Sequence, residues 1–198
     1  MNPNEVHKVS DVFSAEDLES IASLLADATP IPDSTPNIEL GRELLTNDST
    51  EISGELISKL TNLVNSLTNR TLTLRDHRLS VFTYSNKYGA PNLRPHFDGD
   101  NNELIMDYQL SSNTRWPLGV NTSVYDLEDN SALLFNPNTN VHWRPHKTFK
   151  DNEYVSMIFF RFYDENSQTD YSHLPHHPDD PTFKESREYR ESFSLDGI

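Results

Sequence analysis

Apolar residues change their spacing once along this chain, near Thr71. Before that point the spacing is helical. In residues 14–27 (SAEDLESIASLLAD), Leu18, Ile21, Ala22 and Leu25 recur at i, i+3, i+4 and i+7, one face of a helix. Ser14 with Asp17 three residues later predicts an N-terminal cap, a variant of the reciprocal hydroxyl–carboxyl box. A Pro-, Asp- and Ser-rich stretch at 29–37 breaks the pattern. A second helix is predicted over 54–69, with Leu56, Leu60, Leu63, Val64 and Leu67 on one face. Such stripes bury themselves against a sheet.

After Thr71 the period is two. Short strands are predicted over 72–85, 92–98, 103–111, 118–127, 131–136, 140–144 and 153–163. Turn signals separate them, among them Gly89-Ala90-Pro91, Asp129-Asn130 and Asn136-Pro137-Asn138. Many short strands at this spacing indicate a sandwich, jelly roll or barrel. Residues 164–198 are polar with little periodicity and read as a loosely attached acidic tail. The expected organisation is one mainly β domain over 1–163, with a helical part at 1–70, a β-core at 71–163, and a tail at 164–198.

Composition sharpens this division. The 198 residues carry 31 Asp+Glu against 16 Lys+Arg, a net charge of −15, and only 34% are hydrophobic. Residues 1–70 contribute −8 and residues 164–198 contribute −6, whereas 71–163 contribute −1. The acidity belongs to the flanks. It weighs against nucleic acid and anionic lipid as partners, since both repel such a surface. The absence of cysteine excludes disulfides, zinc-thiolate sites and a Cys nucleophile. No apolar run approaches the ~20 residues of a membrane span, and the N-terminus lacks a signal-peptide pattern, so a cytoplasmic location is expected. Walker A, dinucleotide-binding and G-x-S-x-G motifs are all missing.

The chemistry centres on His96-Phe97-Asp98. On an extended chain, residues i and i+2 face the same side, so the imidazole and the carboxylate converge. His142, at the end of a later predicted strand, is the candidate third ligand. Two His and one carboxylate on one face of a metal form the facial triad of non-haem Fe(II) oxygenases. His146 has the same parity, also follows Arg-Pro, and competes with His142. H-x-D alone is weak: 8 His and 17 Asp in 198 positions make a chance triplet common.

Context adds weight. The segments RLSVFTYSNKYGAPNLRPHFDGD (78–100), ELIMDYQLSSNTRWPLGV (103–120), LEDNSALLFNPNTNVHW (127–143) and EYVSMIFFRFYD (153–164) occur in this order. Together they resemble the Fe(II)/2-oxoglutarate dioxygenase superfamily, especially its prolyl-4-hydroxylase-like and phage-type members. The resemblance implies a double-stranded β-helix (jelly roll, cupin-like) buttressed by N-terminal helices. It also implies Fe(II) held by His96, Asp98 and His142, with 2-oxoglutarate as cosubstrate, O2 as oxidant and ascorbate as a stimulant. The expected reaction is hydroxylation of an unactivated C–H bond in a small-molecule or peptide substrate.

The family anchors the distal carboxylate of 2-oxoglutarate with an Arg or Lys near the start of the closing strand, often with a Ser or Thr two residues later. Ser156 is present, but Tyr154 occupies the basic position. Arg161 faces the barrel if Val155, Met157 and Phe159 do, and faces out if Tyr154, Ser156 and Ile158 face in. Arg144, Lys150 and Arg115 are further candidate anchors, and Tyr84 and Tyr108 match positions where a tyrosine hydroxyl reaches the cosubstrate. The absent basic anchor keeps two other readings open: a binding module with a vestigial metal site, and an Fe(II) oxidase that does not use 2-oxoglutarate. His173, His176 and His177 read as a solvated cluster. Substrate identity and oligomeric state are not legible.

Overall fold

The computed structural model describes residues 5–32, 41–46, 50–87, 89–98, 102–166, 181–193 and 195. In chain order its elements are β1 (His7–Val9), α1 (Ala15–Leu25), β2 (Thr29–Pro32), β3 (Arg42–Thr46), α2 (Gly54–Thr68), β4 (Thr73–Leu74) and β5 (Val81–Tyr84). They continue with β6 (Leu104–Ser112), β7 (Leu118–Val120), β8 (Ser123–Tyr125), β9 (Ser131–Phe135), β10 (His142–Trp143), β11 (Val155–Tyr163) and α3 (Pro181–Ser192). The His173, His176 and His177 cluster lies outside the described residues.

Both predicted helices form where their stripes lie. Ser14 Oγ accepts the Asp17 N–H at 3.2 Å and Asp17 Oδ2 accepts the Ser14 N–H at 3.0 Å, the reciprocal cap expected of that spacing. Ser53 caps α2, whose last turn ends on Asn69 in the left-handed region (φ 50°), where Asn is tolerated better than most side chains.

All the strand pairs are antiparallel, in two sheets. The larger runs β1-β9-β6-β11-β5-β3-β2, with β4 also pairing β11. The smaller is β10-β7-β8. One face of the large sheet packs on the helices: Ile158, Phe160 and Phe162 of β11 join Ile21 of α1 and Leu56, Leu60 and Val64 of α2 in one buried cluster. Val155 and Met157 belong to a second cluster with Tyr84 and Trp116, on the opposite face. The architecture is the mainly β, helix-buttressed double-stranded β-helix anticipated above.

Three elements depart from expectation. β2 and β3 form at and beyond the start of the Pro-rich breaker; β2 is the last strand of its sheet, the place where proline costs no ladder bond. Residues 92–98 do not form a strand and contribute a single bridge, His96 to His142. Residues 181–192, read as part of a polar tail, form α3. This helix docks through buried Ser186 and Arg190 rather than an apolar stripe, so it gives no hydrophobic periodicity. Among the described residues no helix is long and apolar enough to cross a membrane.

Candidate metal centre and its pocket

The bridge between residues 96 and 142 is reciprocal. His96 N–H donates to the His142 carbonyl at 3.1 Å, and His142 N–H donates to the His96 carbonyl at 3.0 Å. It joins the irregular segment before Asp98 to β10 of the small sheet and brings the two imidazoles to a centroid separation of 4.1 Å. Each ring is oriented by its own chain: Nδ1 of His96 lies 2.7 Å from the Arg94 carbonyl and Nδ1 of His142 lies 3.3 Å from the Asn140 carbonyl. A carbonyl only accepts, so Nδ1 carries the proton and Nε2 is turned to the site.

Both Nε2 atoms face Asp98 Oδ1, at 3.6 Å from His96 and 3.2 Å from His142. One donor atom from each of the three residues lies within 4.8 Å of the others. His142 is buried, whereas His96 and Asp98 keep 38% and 20% side-chain exposure toward the pocket. Burial, reinforced by the neighbouring His142, pushes His96 down to about 4. Burial is the largest single influence on Asp98 and His142, but the hydrogen bond between them and the attraction of the surrounding opposite charges together outweigh it, holding the carboxyl below its usual range and the imidazole above its own. His146 lies apart from this cluster: its Nε2 accepts Arg190 Nη1–H at 3.0 Å.

These three residues share the wall of a cavity of about 420 Å³. Phe82, Ile105 and Phe159 give it apolar surface, and Tyr84, Asp107, Arg42, Arg94 and Arg161 also line it. Burial raises the Asp107 carboxyl to about 6. Arg42 stacks over the Phe82 ring at 4.6 Å and donates to the Tyr84 hydroxyl at 3.1 Å. Arg161 reaches Asp76 at 3.3 Å. With three arginines against Asp98 and Asp107, the lining carries a cationic surplus before any metal is added.

Several expected cosubstrate contacts lie elsewhere. β11 takes the register in which Phe159 and Arg161 face the cavity. Ser156 therefore faces the other way, with Oγ 2.8 Å from Thr83 Oγ1, and Tyr154 is not on the cavity wall either. Tyr108 is fully buried against Phe13 on the helix side, its hydroxyl donating to Asn130 Oδ1 at 3.2 Å, because its parity on β6 is opposite to that of Ile105 and Asp107. Arg144 is buried behind the wall; it donates to the Trp116 carbonyl and stacks 4.7 Å from that indole. Arg115 pairs with Asp126 at 2.7 Å on the surface, and Lys150 is exposed. Sequence reasoning missed Arg42 and Asp107. Asp107 sits on a strand buried on both faces, where alternation does not mark the cavity side; Arg42 had no signal, because no strand was expected over 42–46.

No family model matches the chain, and no curated protein matches its sequence. Solved structures do resemble it. A prolyl hydroxylase from Trichoplax adhaerens, in complex with a hypoxia inducible factor oxygen degradation domain peptide fragment, aligns at TM-score 0.55 and 16% identity, over 84% of this chain and 89% of that one. The non-heme alpha ketoglutarate dependent epimerase SnoN from nogalamycin biosynthesis aligns at TM-score 0.60 and 14% identity, over 82% and 78%. HygX from Streptomyces hygroscopicus, with nickel and 2-oxoglutarate bound, aligns at TM-score 0.54 and 10% identity, over 83% and 85%. The fold of this chain is that of the 2OG-Fe(II) oxygenases.

Proposed function

We propose that this chain is an Fe(II)- and 2-oxoglutarate-dependent dioxygenase that hydroxylates an unactivated C–H bond of a small-molecule or peptide substrate. The carrying observation is the convergence of His96 Nε2, His142 Nε2 and Asp98 Oδ1 on one point of an arginine-lined cavity. The donor set fits a divalent ion: two imidazoles with Nδ1 occupied by carbonyls and one carboxylate, with nothing softer. The cationic lining fits a dianionic oxo-acid.

His96, Asp98 and His142 would hold the iron at the wall of the cavity. Bound iron and 2-oxoglutarate would supply the oxidising chemistry, with O2 consumed, succinate and CO2 released, and ascorbate keeping the metal ferrous. The chain's own part is orientation and shielding. The Arg94 and Asn140 carbonyls fix both rings, so little reorganisation accompanies metal entry. Phe82, Ile105 and Phe159 exclude water from one side of the cavity and leave room for an apolar C–H group. The Tyr84 hydroxyl and the arginines present donors to carboxylate oxygens.

The test is succinate release in the presence of Fe(II), 2-oxoglutarate and ascorbate. Turnover is expected in the wild type and is lost in His96→Ala and Asp98→Ala; turnover unchanged in either variant overturns the assignment. O2 consumption without 2-oxoglutarate would identify a cosubstrate-independent oxidase instead. Metal binding with no affinity for 2-oxoglutarate would identify a binding module.

A further inference from the structure

We propose that Arg42, on β3 and outside the β-core proper, holds the distal carboxylate of the oxo-acid. This rests on the reading of the site as a 2-oxoglutarate site. The start of β11 offers no cation. Its inward residues there are Val155 and Met157, both fully buried in an apolar cluster. The strand's only arginine, Arg161, lies six residues further on and is paired with Asp76.

The register of the sheet carries the charge sideways. Val155 is paired with Tyr84, and Tyr84 in turn with Arg42. Residues directly opposed across antiparallel strands share a face, so Val155, Tyr84 and Arg42 form one row on the cavity side. Two strand spacings separate the ends of that row, about 10 Å, a span that an extended arginine side chain largely covers. The row thus places a guanidinium within reach of where a cation on Val155 would have ended.

The guanidinium is also held. It lies over Phe82 at 4.6 Å and donates to the Tyr84 hydroxyl at 3.1 Å, while lining the same cavity as the three metal-site residues. A stacked, fixed fork loses less freedom on meeting a carboxylate than a mobile side chain does. Arg144, a fully buried candidate, donates to the Trp116 carbonyl and the Met157 sulfur behind the wall and does not line the cavity.

Calorimetric titration of the Ni(II)-loaded chain with 2-oxoglutarate tests this, with 2-oxobutyrate, which lacks the distal carboxylate, as the second probe. Arg42→Gln is expected to weaken 2-oxoglutarate about ten- to a hundredfold, the loss of charge-assisted hydrogen bonds. Its Ni(II) and 2-oxobutyrate affinities should stay within about twofold, since neither ligand needs that charge. Unchanged Ni(II) affinity also certifies that the variant is folded. Arg42→Lys should recover part of the loss, and Arg161→Gln should cost less than Arg42→Gln. Equal 2-oxoglutarate affinity in wild type and Arg42→Gln overturns the anchor alone. A wild type that binds Ni(II) but not 2-oxoglutarate overturns the cosubstrate reading and the anchor together.

Discussion

Gly119 faces Trp143 across the β7–β10 pair, and a Cβ built there clashes with the indole ring. Trp143 is fully buried and follows His142 directly, so it cannot step aside without moving β10. Gly119→Ala is expected to destabilise the fold by roughly 1–3 kcal/mol, or more if the strand cannot shift. A thermal melt gives the stability, and a metal titration should show weaker binding because His142 rides on the displaced strand. Asp107 makes a pH prediction. Its carboxyl titrates at about 6 in the fold and near 4 in an unfolded chain. Between those values the folded chain keeps a proton that the unfolded chain has released, so stability falls as pH rises from about 4 to about 6. The loss is roughly 3 kcal/mol, complete above the folded value. Asp107→Asn should therefore raise the melting temperature of the metal-free chain at pH 8 by something on the order of 10 °C, and leave it unchanged at pH 4. An equal rise at both pH values would show that the carboxyl is not the cause.

At the scale of elements, α3 secures the far side of the metal centre. Buried Arg190 donates to the Arg144 carbonyl at 2.7 Å, to Asn92 Oδ1 at 2.7 Å and to His146 Nε2 at 3.0 Å. Tyr189 and Phe193 meet Trp143 edge-on, at 6.1 and 6.4 Å. One helix thereby ties the segment before His96 to the segment after His142. Arg190→Ala is expected to cost about 2–4 kcal/mol, since three partners lose a charged donor, and to weaken metal binding without abolishing it. Melting curves and metal titration measure both. None of this was visible in the sequence, because α3 docks by one Ser, one Arg and aromatic edges, and a periodicity argument sees only apolar stripes. α1 and α2 were legible for the converse reason. β6 shows a different limit: residues 104–109 are buried on both faces, one under helices and one toward the cavity. Alternation therefore could not tell which face held Tyr108 and which held Asp107. The H-x-D pair was legible although no strand forms there, because an extended backbone suffices to put i and i+2 on one side.

For the whole molecule, the net charge of −15 resides almost entirely in the flanks, while three arginines line the cavity. A small dianion meets a cationic lining at the end of its path. Metal should also act globally by mass action: Ni(II) at about a hundred times its dissociation constant adds roughly 2.7 kcal/mol to stability. The corresponding rise in melting temperature should vanish in Asp98→Ala, and its persistence there would place the ion elsewhere. The reciprocal bonds between residues 96 and 142 have a consequence for solvent exchange. Each of these two amides is the other residue's hydrogen-bond donor, and they join a segment without regular strand to a strand of two residues. Neither can open to deuterium without releasing the other, so both should exchange at one shared rate. An ion clamped between the side chains would slow both by the same factor, making that pair of amide signals an internal clock for occupancy of the centre.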